Sequence, residues 1–340
     1  MSLATRSLSL TSLLTATVLL AGCGQSGGDT AGSGRSVVAS FYPLAWVTEQ
    51  VAGDGWTVEN LTSPGQEPHD LTLDIAQTAA LEGADLVVLE EGFQPAVDDT
   101  AANADAPVLD AAAVLDLLPA TPGEEHDHAE EEHAEDEAHA DEEHAEEEHA
   151  EDEAHAEEEH ADEEHDHGDV DPHFWLDPLL VADFADAVAD ELGEIHPDGA
   201  ETYADNAAQL RSELESLDRD YTEGLASCER STTVVSHQAF AYLARYGLEF
   251  EAIAGLSPDA EPTAADLAHL QEVIDADGVT TVFSERLVSP KMADTLASDM
   301  GVESAVLDPI EGLSEETADE DYLSLMRANL TALQRANGCS

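Results

Sequence analysis

Positive charge is what this chain has least of. Its 340 residues include 10 lysines and arginines against 77 aspartates and glutamates, a formal net charge of −67, and Lys291 is the sole lysine. Such a surface repels phosphates and other anions, which excludes nucleic acid as a partner and anionic molecules as substrates, and it attracts cations. Long apolar sequence is also missing. The run at residues 8–21 has the length of a signal peptide's central region and is too short to span a bilayer. No His-Glu-x-x-His pattern occurs, so a zinc hydrolase would lack its usual helical signature. Cysteine is limited to three residues.

Those three cysteines are informative. The apolar run ends in Leu20-Ala21-Gly22-Cys23, which resembles the lipobox of bacterial lipoproteins. Residues 1–22 are then a signal peptide and Cys23 is the lipidated mature N-terminus. Several acyl chains would anchor the protein stably to a membrane. An ordinary cleaved signal would export it without an anchor. Residues 23–36, rich in Gly and Ser, read as a flexible tether. Export places the chain in an oxidising compartment, where the remaining pair, Cys228 and Cys339, is expected to form a disulfide.

From Val37 the chain alternates short apolar runs with helical stretches. Residues 36–41, 57–61 and 85–89 read as strands, with helices at 44–51 and up to about Glu82, and the alternation continues to Leu118. After residue 200 comes one long amphipathic helix with Tyr203, Ala207, Leu210, Leu214, Leu217, Tyr221 and Leu225 on a single stripe. The rhythm then resumes. Strands are expected at 232–236, 249–254, 279–284 and 304–307, and helices at 239–246, 263–276, 290–300 and 319–336. This βα alternation predicts an α/β fold of two lobes. Each lobe, 37–200 and 227–340, carries a mostly parallel sheet flanked by helices, and a rigid helix over 201–226 joins them.

Residues 123–169 break the pattern. They hold 26 of the 77 acidic residues and ten histidines: His126, His128, His133, His139, His144, His149, His155, His160, His165 and His167. Residues 133–148 and 149–164 are near-copies of one 16-residue unit, and no aliphatic side chain larger than alanine is present. The segment cannot bury a core, so a disordered loop is expected. Histidines spaced regularly among carboxylates suit loose capture of divalent metal at several points.

The other five histidines sort by placement. His69 lies in a Pro- and Gly-containing loop after the second strand. His173 sits between two prolines in Asp-Pro-His-Phe-Trp-Leu-Asp-Pro (171–178), and His237 ends the 232–236 strand. The end of the 304–307 strand presents Asp308. Ligands of open parallel sheets gather beyond the carboxyl ends of strands. His69, His173, His237 and Asp308 are therefore the candidate metal ligands, two from each half. Three imidazoles with one carboxylate suit zinc. Glu67, Asp70 and Asp171 are candidates to orient the rings, by adjacency alone. His196 and His269 read as structural or surface residues.

Several motifs in order carry a family resemblance: Ser-Phe-Tyr-Pro-Leu (40–44), Glu-Pro-His-Asp (67–70), the 171–178 stretch, and Ser-His-Gln-Ala-Phe-Ala-Tyr-Leu (236–243). They are followed by Leu-Ser-Pro-Asp-Ala-Glu-Pro-Thr (256–263), Ser-Glu-Arg-Leu-Val-Ser-Pro-Lys (284–291) and Leu-Asp-Pro-Ile (307–310). The chain resembles the metal-binding lipoproteins of ABC importers for zinc and manganese, on the zinc-uptake branch. The resemblance implies one metal between two lobes, ligands at the four positions just named, and delivery of Zn2+ to a membrane permease. A monomer without catalytic activity is expected. Manganese carriage, a metal-storage role and a surface adhesin are the alternatives.

Overall fold

The computed structural model describes residues 34–120 and 170–340. Cys23, the signal segment and the ten histidines of residues 123–169 lie outside them. Strands β1 (Arg35–Ala39), β2 (Trp56–Asn60), β3 (Leu86–Leu89) and β4 (Val108–Asp110) form a parallel sheet in the order β2-β1-β3-β4. Strands β5 (Thr232–Val235), β6 (Glu249–Ala252), β7 (Thr281–Ser284) and β8 (Glu303–Val306) repeat that order as β6-β5-β7-β8. The central strands are buried throughout, as in Leu-Val-Val-Leu of β3 and Thr-Thr-Val-Val of β5. Helices cover both faces, so these strands are near-continuously apolar rather than alternating.

The two sheets correspond residue by residue. Leu61 N–H donates to the Ala39 carbonyl at 2.9 Å, and Ile253 N–H donates to the Val235 carbonyl at 2.9 Å. Val38 pairs with Val87 as Val234 pairs with Val282. Each sheet also reverses its winding direction at the same place, beside its first strand, and opens a crevice there at the carboxyl ends.

The covering helices are α1 (Tyr42–Ala52), α2 (Ile75–Gly83), α3 (Pro95–Ala101), α4 (Ala111–Val114) and α5 (Pro178–Ile195), with α7 (Ala264–Asp277), α8 (Lys291–Met300) and α9 (Tyr322–Asn337) on the second sheet. Between them runs α6 (Ala200–Leu225), 26 residues and about 39 Å long. All seven residues of its expected stripe are buried. At one end Tyr203 OH accepts a hydrogen bond from the Trp56 indole at 2.7 Å. At the other Tyr221 OH donates to the Met326 carbonyl at 2.7 Å. The helix is thus bonded to β2 and to α9, a spine fixed to both sheets. A Cys228–Cys339 disulfide fastens the end of α9 to the stretch between α6 and β5.

Two local expectations change form. The helix expected over 239–246 is a 3-10 turn at Ala241–Tyr246, ended by Gly247 at φ 89°. Tertiary bonds place its side chains, with Tyr242 OH donating to the Asp171 carbonyl at 2.7 Å and Tyr246 OH to Asp218 Oδ1 at 2.9 Å. Residues 174–192, which read in the sequence as one helix, are likewise divided. A 3-10 turn covers Phe174–Leu176, and α5 begins at Pro178 with the Asp177 carboxylate accepting from Leu179 N–H at 2.9 Å. Proline at the first helical position gives up no bond, which sets the boundary there. Among the described residues no helix is long and apolar enough to cross a membrane.

Candidate metal centre

Three histidines converge where the two sets of strand ends meet. His69 follows β2, His237 lies two residues past β5, and His173 stands in the turn before α5. They are 5 %, 0 % and 0 % exposed, a burial that an imidazole reaches only with its polar atoms accounted for. Each Nδ1 faces a carboxylate: Glu67 at 2.5 Å from His69, Asp171 at 2.8 Å from His173, and Glu285 at 2.6 Å from His237. A carboxylate only accepts, so each Nδ1 carries the hydrogen. That fixes the tautomer and leaves every Nε2 to turn inward, the arrangement that orients metal-binding imidazoles.

The inward atoms share one point with a carboxylate. His173 Nε2 and His237 Nε2 are 3.4 Å apart, and Glu311 Oε1 lies 3.6 Å from the first and 3.3 Å from the second. With His69, these four residues offer ligand atoms all within 4.8 Å of one another. Four donors at zinc's usual bond lengths, arranged tetrahedrally, stand about 3.3 Å apart. Glu311 is 1 % exposed and its Oε1 makes no well-formed hydrogen bond within the protein. A buried anionic oxygen in that position is matched by a cation.

Asp308 does not join this group. Its carboxylate turns back into its own loop, where Oδ1 accepts from Ile310 N–H at 2.9 Å and Oδ2 pairs with Arg286 Nε at 3.0 Å. Burial pushes the carboxyl up to about 6, against the pull of Ile310 N–H and Arg286. The acid that reaches the histidines is Glu311, three residues further on. Between the two, Ile310 has a φ of 61°, the only positive φ of a non-glycine residue among those described. That conformation costs a β-branched side chain about 1–3 kcal/mol.

Of the three acids expected to orient rings, Glu67 and Asp171 do so. Asp70 is exposed, and its N–H lies 3.4 Å from Glu67 Oε2. Glu285 was missed, although it sits one residue past β7, a strand-end position like those that identified the ligands. His196 Nδ1 lies 2.8 Å from Tyr203 OH, and His269 is exposed with Glu251 at 3.8 Å. Neither approaches the cluster.

Rings form the floor. Phe93 lies 4.7 Å from His69 and Trp175 lies 5.2 Å from His173, centroid to centroid, and Phe41 packs on both at 4.6 and 4.8 Å. An apolar floor keeps water from competing for the donors. The register explains why it belongs to the first half. By the sheet correspondence Phe41 occupies the position of His237, and Glu90 that of Glu285. Glu90 therefore has no ring to hold. It is 2 % exposed, neither oxygen has a hydrogen-bond partner, and burial, reinforced by Asp110, Asp171 and Asp98, raises its pKa far above the carboxylate range.

The charges within the cluster are coupled. Burial opposes an imidazolium at His237, but Glu285 and Glu311 outweigh it and push its pKa up to about 10. His173 is also raised, burial being overcome by Asp171 and Glu311. Glu311 moves the other way. Burial would raise it, but the field of His69 and the nearby Nε2 groups of His173 and His237, at 3.6 and 3.3 Å, hold it well below the usual range.

Comparison with known proteins fits this geometry. The family described as "ZnuA: Zinc-uptake complex component A periplasmic" matches residues 37–336. The zinc-binding lipoprotein AdcA of Streptococcus pneumoniae is 36 % identical over 309 residues, covering 88 % of this chain and 55 % of AdcA. The chain thus spans about half the length of that relative. The Zn(II)-bound ZnuA-like domain of AdcA superposes with a TM-score of 0.66 at 33 % identity, covering 89 % of this chain and 98 % of the domain. The high-affinity zinc uptake system protein ZnuA of Bacillus subtilis is 34 % identical over 328 residues, 93 % of each chain. The laminin-binding protein Lmb of Streptococcus agalactiae, described as having adhesin and metal-transporting activity, superposes with a TM-score of 0.71 at 28 % identity, covering 89 % of this chain and 99 % of Lmb.

Proposed function

Because the chain belongs to the zinc-uptake complex component A family, we propose that it is an extracytoplasmic zinc-binding protein that captures Zn2+ and hands it to an ABC permease. The observation that carries the reading is the convergence of His69, His173, His237 and Glu311 on one buried point. In this reading Glu311, rather than Asp308, is the fourth ligand. The three imidazoles are the softer donors that favour zinc over manganese. Four protein donors leave no open position for substrate chemistry, so the work is capture and not catalysis.

Residues 37–200 and 227–340 act as the two lobes and 201–226 as the link. The rims of the centre already touch, with Gly65 N–H donating to the Leu313 carbonyl at 2.7 Å, so release requires these loops to part on the permease. The protein works as a monomer, held to the membrane through lipid on Cys23, and residues 123–169 collect zinc weakly.

Titration of metal-free protein, with and without residues 123–169, tests the reading. The full chain is expected to bind one zinc tightly and several weakly, and the deletion to keep the tight site and lose the weak ones. At free zinc 100-fold above the tight Kd, stability should rise by about 2.7 kcal/mol in both forms. Absence of a tight site from both would refute the function, and unchanged stoichiometry in the deletion would refute the role of residues 123–169.

A further inference from the structure

We propose that Asn329 is a positioning residue for the metal centre: through Asp308 it holds the Asp308–Glu311 arm in the strained form that delivers Glu311 to the three histidines. The inference rests on the zinc-binding reading above and adds to it a device that no ligand supplies for itself.

Asn329 lies on α9 and is 3 % exposed. Its Oδ1 accepts from Asp308 N–H at 2.9 Å and its Nδ2 donates to the Asp308 carbonyl at 2.6 Å. An amide side chain can satisfy both backbone groups of one residue at once. Aspartate has no donor for the carbonyl, and leucine, of similar size, would leave two buried backbone groups unpaired. The rest of the arm is held as fully. Pro309 has a fixed φ and no N–H, and its carbonyl accepts from the Trp175 indole at 2.7 Å. Ile310 N–H is taken by the Asp308 carboxylate at 2.9 Å, and that carboxylate is braced by Arg286.

Three consecutive residues thus have their backbone groups bonded, and the third, Ile310, is the one with positive φ. Its side chain is fully buried in the main core. A β-branched residue stays in that conformation only where its surroundings over-determine it. Here they do, and the consequence falls on the next residue: the reversal at Ile310 aims Glu311 at the histidines while Asp308 faces away. Without the clamp the arm relaxes and the only anionic ligand withdraws.

The test is a pair of double-mutant cycles on the full chain, read by zinc affinity in chelator competition and by the melting temperature of the metal-free protein. Asn329→Leu and Asp308→Ala are each made in the wild-type and Glu311→Ala backgrounds. If both act through Glu311, each lowers zinc affinity about 10- to 100-fold in the wild type, the range for outer partners of metal ligands. Each then lowers it less than about twofold once Glu311 is absent, the mark of groups acting as one unit. A merely structural role would lower the melting temperature without that loss of additivity. Two variants guard against one failing to fold. The proposal is overturned by affinities within twofold of wild type, or by equal losses in both backgrounds. A wild-type protein without a tight zinc site would sink the functional reading and this one together, whereas a tight site with additive losses sinks only the clamp.

Discussion

Glu311→Ala is expected to weaken zinc binding by more than about a hundredfold, at least 2.7 kcal/mol, and to cost far more than Asp308→Ala. Outer partners of metal ligands account for 10- to 100-fold, and as the proposed fourth ligand Glu311 should exceed them. It is the one negative charge among four inward donors, it is 1 % exposed, and its Oε1 has no alternative hydrogen bond. Its removal leaves a divalent ion in a buried pocket with neutral donors only, a desolvation that imidazoles alone offset poorly. His237→Ala should fall in the same class, because it removes a donor and strands Glu285, whose Oε1 then keeps only the Ser236 hydroxyl at 2.5 Å. Glu285→Gln should be milder, within the outer-partner range. Competition against a chromophoric chelator ranks all four variants. The opposite order, with Asp308→Ala abolishing binding and Glu311→Ala near wild type, would restore Asp308 as the ligand.

That ranking marks the limit of what could be read from the sequence. The fold was legible because its signals are local and repeated. The stripe on α6 needed only helical spacing, and the β-strands announced themselves as short apolar runs. The three histidines were legible because stiff loops and strand ends are places where a parallel sheet presents side chains. The acid that faces them was not. Asp308 and Glu311 lie three residues apart in one turn, and both are acids just past a strand. Which of them faces inward depends on the φ of Ile310, on Asn329 arriving from α9, and on Arg286 arriving from the loop after β7. Neither Asn329 nor Arg286 is near in sequence. Glu285 was within reach, since the rule that selected His237 applies equally to the residue after β7. The short helix at 239–246 failed for another reason: periodicity over eight residues does not separate an α-helix from a 3-10 turn whose Tyr242 and Tyr246 are placed by tertiary bonds.

Zinc binding should release protons well above the range of a free imidazole, with apparent affinity climbing until about pH 10. On sequence alone the loss of affinity would be centred near 6.5, the ordinary histidine value. The centre moves it. His237, buried against Glu285 and Glu311, has its pKa pushed up to about 10, and His173 is raised as well. At pH 7 the metal-free protein should therefore hold a proton on His237 Nε2, the atom proposed to bind the ion. Binding expels it, and each expelled proton contributes about a tenfold gain in apparent affinity per pH unit. Stability of the metal-free form runs the other way. A raised histidine pKa contributes stability that is fully present below the unfolded value and is lost as pH rises through the folded one, so His237 stops contributing between about 6.5 and 10. Glu311 is depressed, so its contribution is present above the unfolded carboxylate value and is lost only as pH falls toward its folded pKa. From pH 7 to 10 the metal-free protein should lose stability while the gap between its melting temperature and that of the zinc-loaded form widens. Calorimetry at pH 7.5 in buffers of different ionisation enthalpy counts the protons directly. Glu285→Gln, which removes the foremost carboxylate holding the His237 proton, should reduce that count and bring the affinity plateau to lower pH. Zinc uptake with no proton release at pH 7.5 would mean that the apo centre is already neutral and that Glu285 and Glu311 do not hold His237 in its charged form.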